Sequence, residues 1–331
     1  GEIDTERVTG PLTSERRPDL YHELLHQTHA WNPLDFFRLY GHQPLPNGKT
    51  STIAVAQFSP SNNLDDNLSK CTDLIAQAEG AELIVFPELA LTGLDTGGIN
   101  PISQRHGVFD TLRRLAEERQ QYYVVGFAEQ SGEHLYNAAA LVGAQGVMAV
   151  YRKIHLNKAD RKWANPGDCW VSFDLPLGRL GLLIGHDADF PEAGRILALR
   201  GCDVIACPAA LPGPFHCAHP GTDIRQPAPI PTGPDEHHWH HYRVRGGENN
   251  CYFAFANVHM PDAGLPGLSG IFGPDTFHFP RRESLLTSAN GCVQLAIDTS
   301  NLDSAYPNSA VRRKDLVVMR LPHHYPKLLE R

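Results

Sequence analysis

The fifteen residues from Gly178 to Glu192 constrain this chain most. Arg179–Ile184 reads as a short apolar strand, and Pro191 opens a helix whose inner face carries Ile196, Leu197 and Leu199. Between them, Gly185-His186-Asp187-Ala188-Asp189-Phe190 leaves room only for a tight strand-to-helix elbow. Such an elbow presents one residue at the end of a sheet, next to the free N–H groups of a helix start. Many hydrolases place a nucleophile there.

The elbow lies within a regular alternation of strands and helices. Ile53–Phe58 reads as a strand; Leu64, Leu68, Cys71, Ile75 and Ala78 then follow at helical spacing until Gly80. Leu83–Phe86 is a buried strand ending in Pro87-Glu88, followed by a helix carrying Val108, Leu112, Leu115 and Ala116. Tyr122–Ala128, Asn137–Val142 and Val147–Arg152 read as strands, the last two joined by a glycine-containing turn. Beyond the elbow come a strand at Val204–Cys207, a helix near His237–Glu248, and strands at Tyr252–Asn257, Ser269–Phe272 and Cys292–Asp298. Two similar sheet-and-helix runs without glycine-rich phosphate loops imply two stacked sheets covered by helices. The sequence shows no internal repeat and no low-complexity tract.

Three motifs in this order resemble the nitrilase (carbon–nitrogen hydrolase) superfamily. Ile184, Asp187, Phe190, Pro191 and Glu192 match the family's elbow motif, whereas Gly185 stands where the family carries its cysteine nucleophile. Phe86-Pro87-Glu88 with Leu91-Thr92-Gly93 resembles the segment carrying the general base, which would be Glu88. Tyr151-Arg152-Lys153-Ile154-His155-Leu156 resembles the segment carrying the catalytic lysine, Lys153. Asp160 occupies the spacing of a second, supporting acid, and Arg243-Val244-Arg245 with Glu248-Asn249 resembles the helix before a late core strand. The resemblance implies an α+β fold, a four-layer αββα sandwich, over residues 51–331, after an N-terminal arm at 1–50. It implies Glu88, Lys153, Asp160 and the Gly185 position as the catalytic set, with His186 and Asp187 near the substrate.

The chemistry explains the grouping. Cleaving an amide through a covalent intermediate needs a thiol, a base for its proton, and positive charge where the oxyanion develops. A carboxylate at a buried strand end has its pKa raised, so that it can accept and return a proton, and a lysine beside it offsets the burial. The same pair also reads as a plain buried ion pair, and Asp160 as a solvated helix-terminal acid. Glycine supplies no nucleophile. Either the chain keeps the pocket for binding, or the position has been altered, or another group such as Cys207 serves.

A formal charge of −8 and a pI near 6.1 argue against nucleic acid and anionic membranes as partners. No apolar run is long enough to span a membrane, and the charged start lacks a signal peptide's apolar core. Seven cysteines without a Cys-x-x-Cys pattern suit reduced thiols in the cytoplasm. His237, His240 and His241 have zinc-compatible spacing but lack a completing ligand, so no metal and no cofactor is expected. Asn32-Pro33-Leu34-Asp35 predicts a helix stopping at Gly41, and Leu20, Leu24 and Leu25 a shorter one before it. The proline-rich insertion from Leu211 to Asp235 reads as a rim loop or a subunit contact. Apolar residues on the helix after Pro191 suggest a homo-oligomer. Two functions follow: a hydrolase-type domain for a small amide, carbamoyl compound or nitrile, inactive for want of its cysteine, or a pseudoenzyme that binds a ligand or partner, within a larger polypeptide.

Overall fold

The computed structural model describes residues 15–25, 46–95, 100–212, 239–274, 281–286, 289–300 and 320–329. Strand β1 (Thr50–Gln57) shows how the layers arise. Ile53 and Val55 face one core, while Ala54 and Ala56 face another with helix α1 (Leu64–Gln77), so both faces of the strand are buried. Asn63 caps α1 by accepting from the Asp66 N–H at 3.0 Å. Then come β2 (Leu83–Val85), α2 (Gly107–Arg119), β3 (Tyr122–Ser131), β4 (His134–Gly143) and β5 (Gly146–Arg152). A second run comprises β6 (Val171–Leu175), β7 (Gly178–Leu182), α3 (Pro191–Leu199), β8 (Val204–Ala209), α4 (Trp239–Asn249) and β9 (Tyr252–Asn257). A two-stranded ribbon, β10 (His259–Met260) with β11 (Leu265–Pro266), precedes β12 (Gly270–Phe272), β13 (Glu283–Leu285) and β14 (Gly291–Asp298).

The strands form two six-stranded sheets, ordered β14-β1-β2-β3-β4-β5 and β13-β12-β9-β8-β7-β6. In each sheet three central strands run parallel, β1-β2-β3 and β7-β8-β9, and the outer strands are antiparallel. One core lies between the sheets and continues under α3 and α4; it holds Val55, Val85, Leu141, Leu182, Ile205, Ile196 and Tyr242. The other lies under α1 and α2 and holds Ile84, Phe86, Leu112, Val125 and Ala140. The result is the αββα sandwich implied by the sequence.

Some boundaries differ from the expectation. β7 stops at Leu182, and the elbow itself is a 3-10 turn, Gly185–Asp189. The strands β6 and β13 were absent from the sequence reading; both are short edge strands, β6 interrupting its apolar residues with Ser172 and Asp174 and β13 being Glu-Ser-Leu with one apolar residue, so neither gives a strand pattern. The short helix at Leu20–Leu25 is two 3-10 turns, Pro18–Leu20 and His22–Leu25. The helix expected over 32–41, His237, and the insertion beyond residue 212 lie outside the described residues. Among the described residues, no helix is long and apolar enough to cross a membrane.

Candidate functional site

Glu88 leaves the end of β2 on a tight turn. Its neighbour Leu89 adopts φ +53°, a left-handed conformation that costs a branched side chain energy. Gly126 on β3 makes room for this turn: a Cβ there would lie 2.4 Å from the Pro87 carbonyl oxygen and 2.5 Å from the Leu89 nitrogen. The turn is thus fixed against the neighbouring strand and aims the buried Glu88 carboxylate across to the second sheet. There the Ala210 N–H, just beyond β8, donates to Oε2 at 2.9 Å.

The other oxygen of Glu88 enters a closed ring of buried polar groups. Lys153 Nζ, beyond the end of β5, lies 2.7 Å from Glu88 Oε1 and 2.7 Å from Asp160 Oδ2. Asn137 on β4 donates through Nδ2 to the same two carboxylates, at 2.6 Å to Glu88 Oε1 and 2.9 Å to Asp160 Oδ1. Asp160 itself is held by the Asn157 N–H at 3.2 Å, and its own N–H donates to the Asn157 side chain at 3.0 Å. Asp160 is 5% exposed, so it is a member of the cluster and not a solvated acid. Burial raises the Glu88 pKa, Lys153 opposes that rise, and Asp160 adds to it. Burial works against charge on Lys153, but the two carboxylates outweigh it and hold the ammonium above its ordinary value.

Gly185 faces this cluster from β7's end. Its φ is +43°, and a Cβ built there would sit 2.6 Å from Glu88 Oε2 and 3.7 Å from Leu211 Cδ2. The Glu88 carboxylate therefore already occupies the edge of the space that a side chain at 185 would need. The α4 helix anchors the elbow from the other side, Arg245 donating to the carbonyls of Ala188 at 2.6 Å and Asp189 at 3.2 Å.

The two residues after Gly185 are both engaged by other groups of the fold. Asp187 is fully buried and accepts from the Ile184 N–H at 3.1 Å, the Tyr151 hydroxyl at 2.8 Å, and the His155 N–H and ring, both at 2.8 Å. Burial alone would raise its pKa; the His155 contacts more than offset that and lower it. With both oxygens engaged by donors of the fold, Asp187 braces the elbow. His186 lies between Asp189 Oδ2 at 2.6 Å and Glu15 Oε2 at 2.8 Å, so both ring nitrogens face carboxylates. Cys207 is completely buried, and burial together with Asp187 and Glu88 holds its thiol protonated, although the Gly185 N–H reaches its sulfur. His241 contacts the Ala188 carbonyl at 3.0 Å and lies 3.4 Å from Asp189.

Asn137 escaped the sequence reading. Its signal was a polar residue opening a run of three alanines and two larger apolar residues in a strand buried on both faces. Its Oδ1 is buried with no hydrogen-bond partner among the described residues. Glu15, which reaches His186 of the elbow, and Tyr21, which reaches His155 beside it, escaped it as well.

Residues 52–290 match the carbon–nitrogen hydrolase family, and the chain belongs to it. Among curated proteins it is similar to a nitrilase of Pyrococcus abyssi, 37% identical over 179 residues that cover 49% of this chain and 66% of the relative. It is also similar to an (R)-stereoselective amidase of Pseudomonas sp., 34% identical over 157 residues that cover 46% of this chain and 57% of the relative. The matched stretch thus spans less than two thirds of either relative. Among solved structures, the fold resembles a cysteine-to-alanine mutant of the amidase from Nesterenkonia sp. AN1 in complex with butyramide. The TM-score is 0.61 at 23% identity, over 77% of this chain and 94% of that one.

Proposed function

We propose that this member of the carbon–nitrogen hydrolase family holds a small amide, carbamoyl compound or nitrile beside Gly185 without cleaving it. The observation that carries the reading is the buried Glu88–Lys153–Asp160 cluster, in contacts of 2.7 Å, whose Glu88 carboxylate lies beside a glycine at the elbow. Glu88 would exchange a proton with a ligand and Lys153 would stabilise negative charge on its oxygen. No side chain at 185 is available to form the covalent bond, so these groups would serve recognition. The related amidase bound to butyramide with a cysteine replaced by alanine supports such a division between binding and bond cleavage.

The wider reading follows the same reasoning. Cys71, Cys169, Cys202, Cys207, Cys251 and Cys292 are all free thiols, which supports a reducing, cytoplasmic setting. The family resemblance supports pairing of subunits through α3, and residues 1–50 form an arm ahead of the hydrolase-type domain.

Calorimetric titration with acetamide, butyramide, a carbamoylated amine and propionitrile tests the function, with ammonia release followed in parallel. The expected outcome is saturable binding of at least one of them, lost in Glu88→Gln, with ammonia at the buffer level. Ammonia release above buffer would end the claim of inactivity. Failure of all four to bind would end the claim of a C–N ligand.

A further inference from the structure

Tyr21 precedes the residues that match the family, yet it is completely buried against them. Its hydroxyl accepts from the Arg17 N–H at 3.2 Å and meets His155 Nε2 at 2.7 Å. The opposite nitrogen of that ring, Nδ1, lies 2.8 Å from Asp187 Oδ1. Asp187 Oδ2 in turn receives the Ile184 N–H at 3.1 Å, one residue before Gly185. The donors and acceptors are consistent only one way for a neutral ring: Nδ1–H donates to Asp187, and Nε2 accepts from the Tyr21 hydroxyl. His155 is further fixed by stacking on Phe190 at a ring separation of 3.9 Å, which joins the relay to the far end of the same elbow.

We propose that Tyr21 is a positioning residue for the elbow: through His155 and Asp187 it holds the backbone at Ile184 and Gly185 in its left-handed turn. The inference rests on the reading of that elbow as the functional centre. A buried imidazole has two ring nitrogens to satisfy, and among the described residues the Tyr21 hydroxyl supplies the second. Without the Tyr21 hydroxyl, Nε2 loses its acceptor role and the ring gains freedom to turn away from Asp187. Asp187 is then no longer fixed as the acceptor for Ile184. The same segment is anchored independently, by Trp170 Nε1 donating to the Leu20 carbonyl at 2.9 Å and by Arg200 Nε at 3.0 Å from Glu23. Loss of one hydroxyl therefore leaves the segment seated.

The test compares Tyr21→Phe, which removes the hydroxyl and keeps the ring, with Leu24→Ala, which removes buried apolar bulk from the same segment. Amide hydrogen exchange is read over residues 183–188 and over β8, with the ¹⁵N shifts of the His155 ring as a second readout. Tyr21→Phe is expected to speed exchange at 183–188 by about tenfold, leave β8 unchanged, and alter the Nε2 shift. Leu24→Ala is expected to lower the melting temperature more while leaving the elbow within about twofold of the parent. Equal acceleration at the elbow by both variants, or none in Tyr21→Phe, would overturn the proposal. No ligand enters the measurement, so a protein that binds no amide still answers it.

Discussion

The two sheets follow one course and end in different chemistry. Taken from one edge, β14-β1-β2-β3-β4-β5 and β6-β7-β8-β9-β12-β13 each pair antiparallel, parallel, parallel, antiparallel and antiparallel, in the same order. Even the central strand ends correspond: Ile84-Val85-Phe86-Pro87-Glu88 at β2, Ile205-Ala206-Cys207-Pro208-Ala209 at β8. The two ends touch, the Glu88 N–H donating to the Ala209 carbonyl at 3.3 Å. Every charged or amide side chain of the buried ring, however, comes from the first sheet's run: Glu88, Asn137, Lys153 and Asp160. The second contributes backbone, the Ala210 N–H and the bare Gly185 turn. A symmetric scaffold thus carries a one-sided site. The first half stores charge in the core, and the second shapes the space against it.

The largest effect should come from breaking the charged half. Lys153→Met leaves Glu88 and Asp160 buried without a cation, which should cost about 3–5 kcal/mol at neutral pH. Urea denaturation should show the deficit shrinking toward pH 4, as Glu88, whose pKa burial raises, takes up a proton. Cys207→Ala, at the matching end of β8, should cost about 1–2 kcal/mol and show no such pH dependence, because only packing is lost. If Lys153→Met costs no more than Cys207→Ala, or its cost is flat with pH, the halves do not differ as described.

Much of this contrast was legible in the sequence. Glu88 and Lys153 each close an apolar strand within a recognisable motif, so their meeting across 65 residues was expected. Asn137 carried no motif and differed from a satisfied strand asparagine only through partners that the fold brings together. Asp187 shows a different limit. Its motif was clear, but no spacing shows that four donors from Tyr151, His155 and Ile184 surround it. Two similar sheet-and-helix runs were legible, but the shared order of parallel and antiparallel pairings was not, because it resides in which strands pair.

An intermediate effect is expected where the halves face each other. Gly185→Cys places a side chain at φ +43°, which costs about 1–2 kcal/mol, and its Cβ would lie 2.6 Å from Glu88 Oε2 unless that carboxylate withdraws. Leu89 at φ +53° shows that this fold already tolerates such a backbone for a non-glycine residue. The variant should fold, and its new thiol should react with iodoacetamide faster than any native cysteine, since Glu88 can take its proton. Adding Glu88→Gln should slow that reaction. A folded variant whose residue 185 reacts no faster than the native thiols would mean that the charged half no longer serves a nucleophile.

The smallest effect concerns the elbow side alone. Burial works against charge on His186, but its hydrogen bonds to Asp189 and Glu15 outweigh that and raise its pKa above the ordinary 6.5. The groups around it are Asp189 and Glu15, with Arg161 3.2 Å from Glu15, His241 3.4 Å from Asp189, and the Phe190 ring edge-on at 5.3 Å. A cationic group with a raised folded pKa stabilises the protein fully below its unfolded pKa and loses that contribution as pH rises through the folded value. Parent and His186→Gln should therefore differ most near pH 6, by about 1 kcal/mol or less, with the difference fading as pH rises through the raised value. Glu15→Gln should remove part of the same dependence, because it deletes one of the two carboxylates that hold the proton. Urea titrations from pH 5.5 to 9 distinguish the outcomes: a difference that is constant, or that grows with pH, would show that the imidazolium does not fasten Glu15 to the elbow.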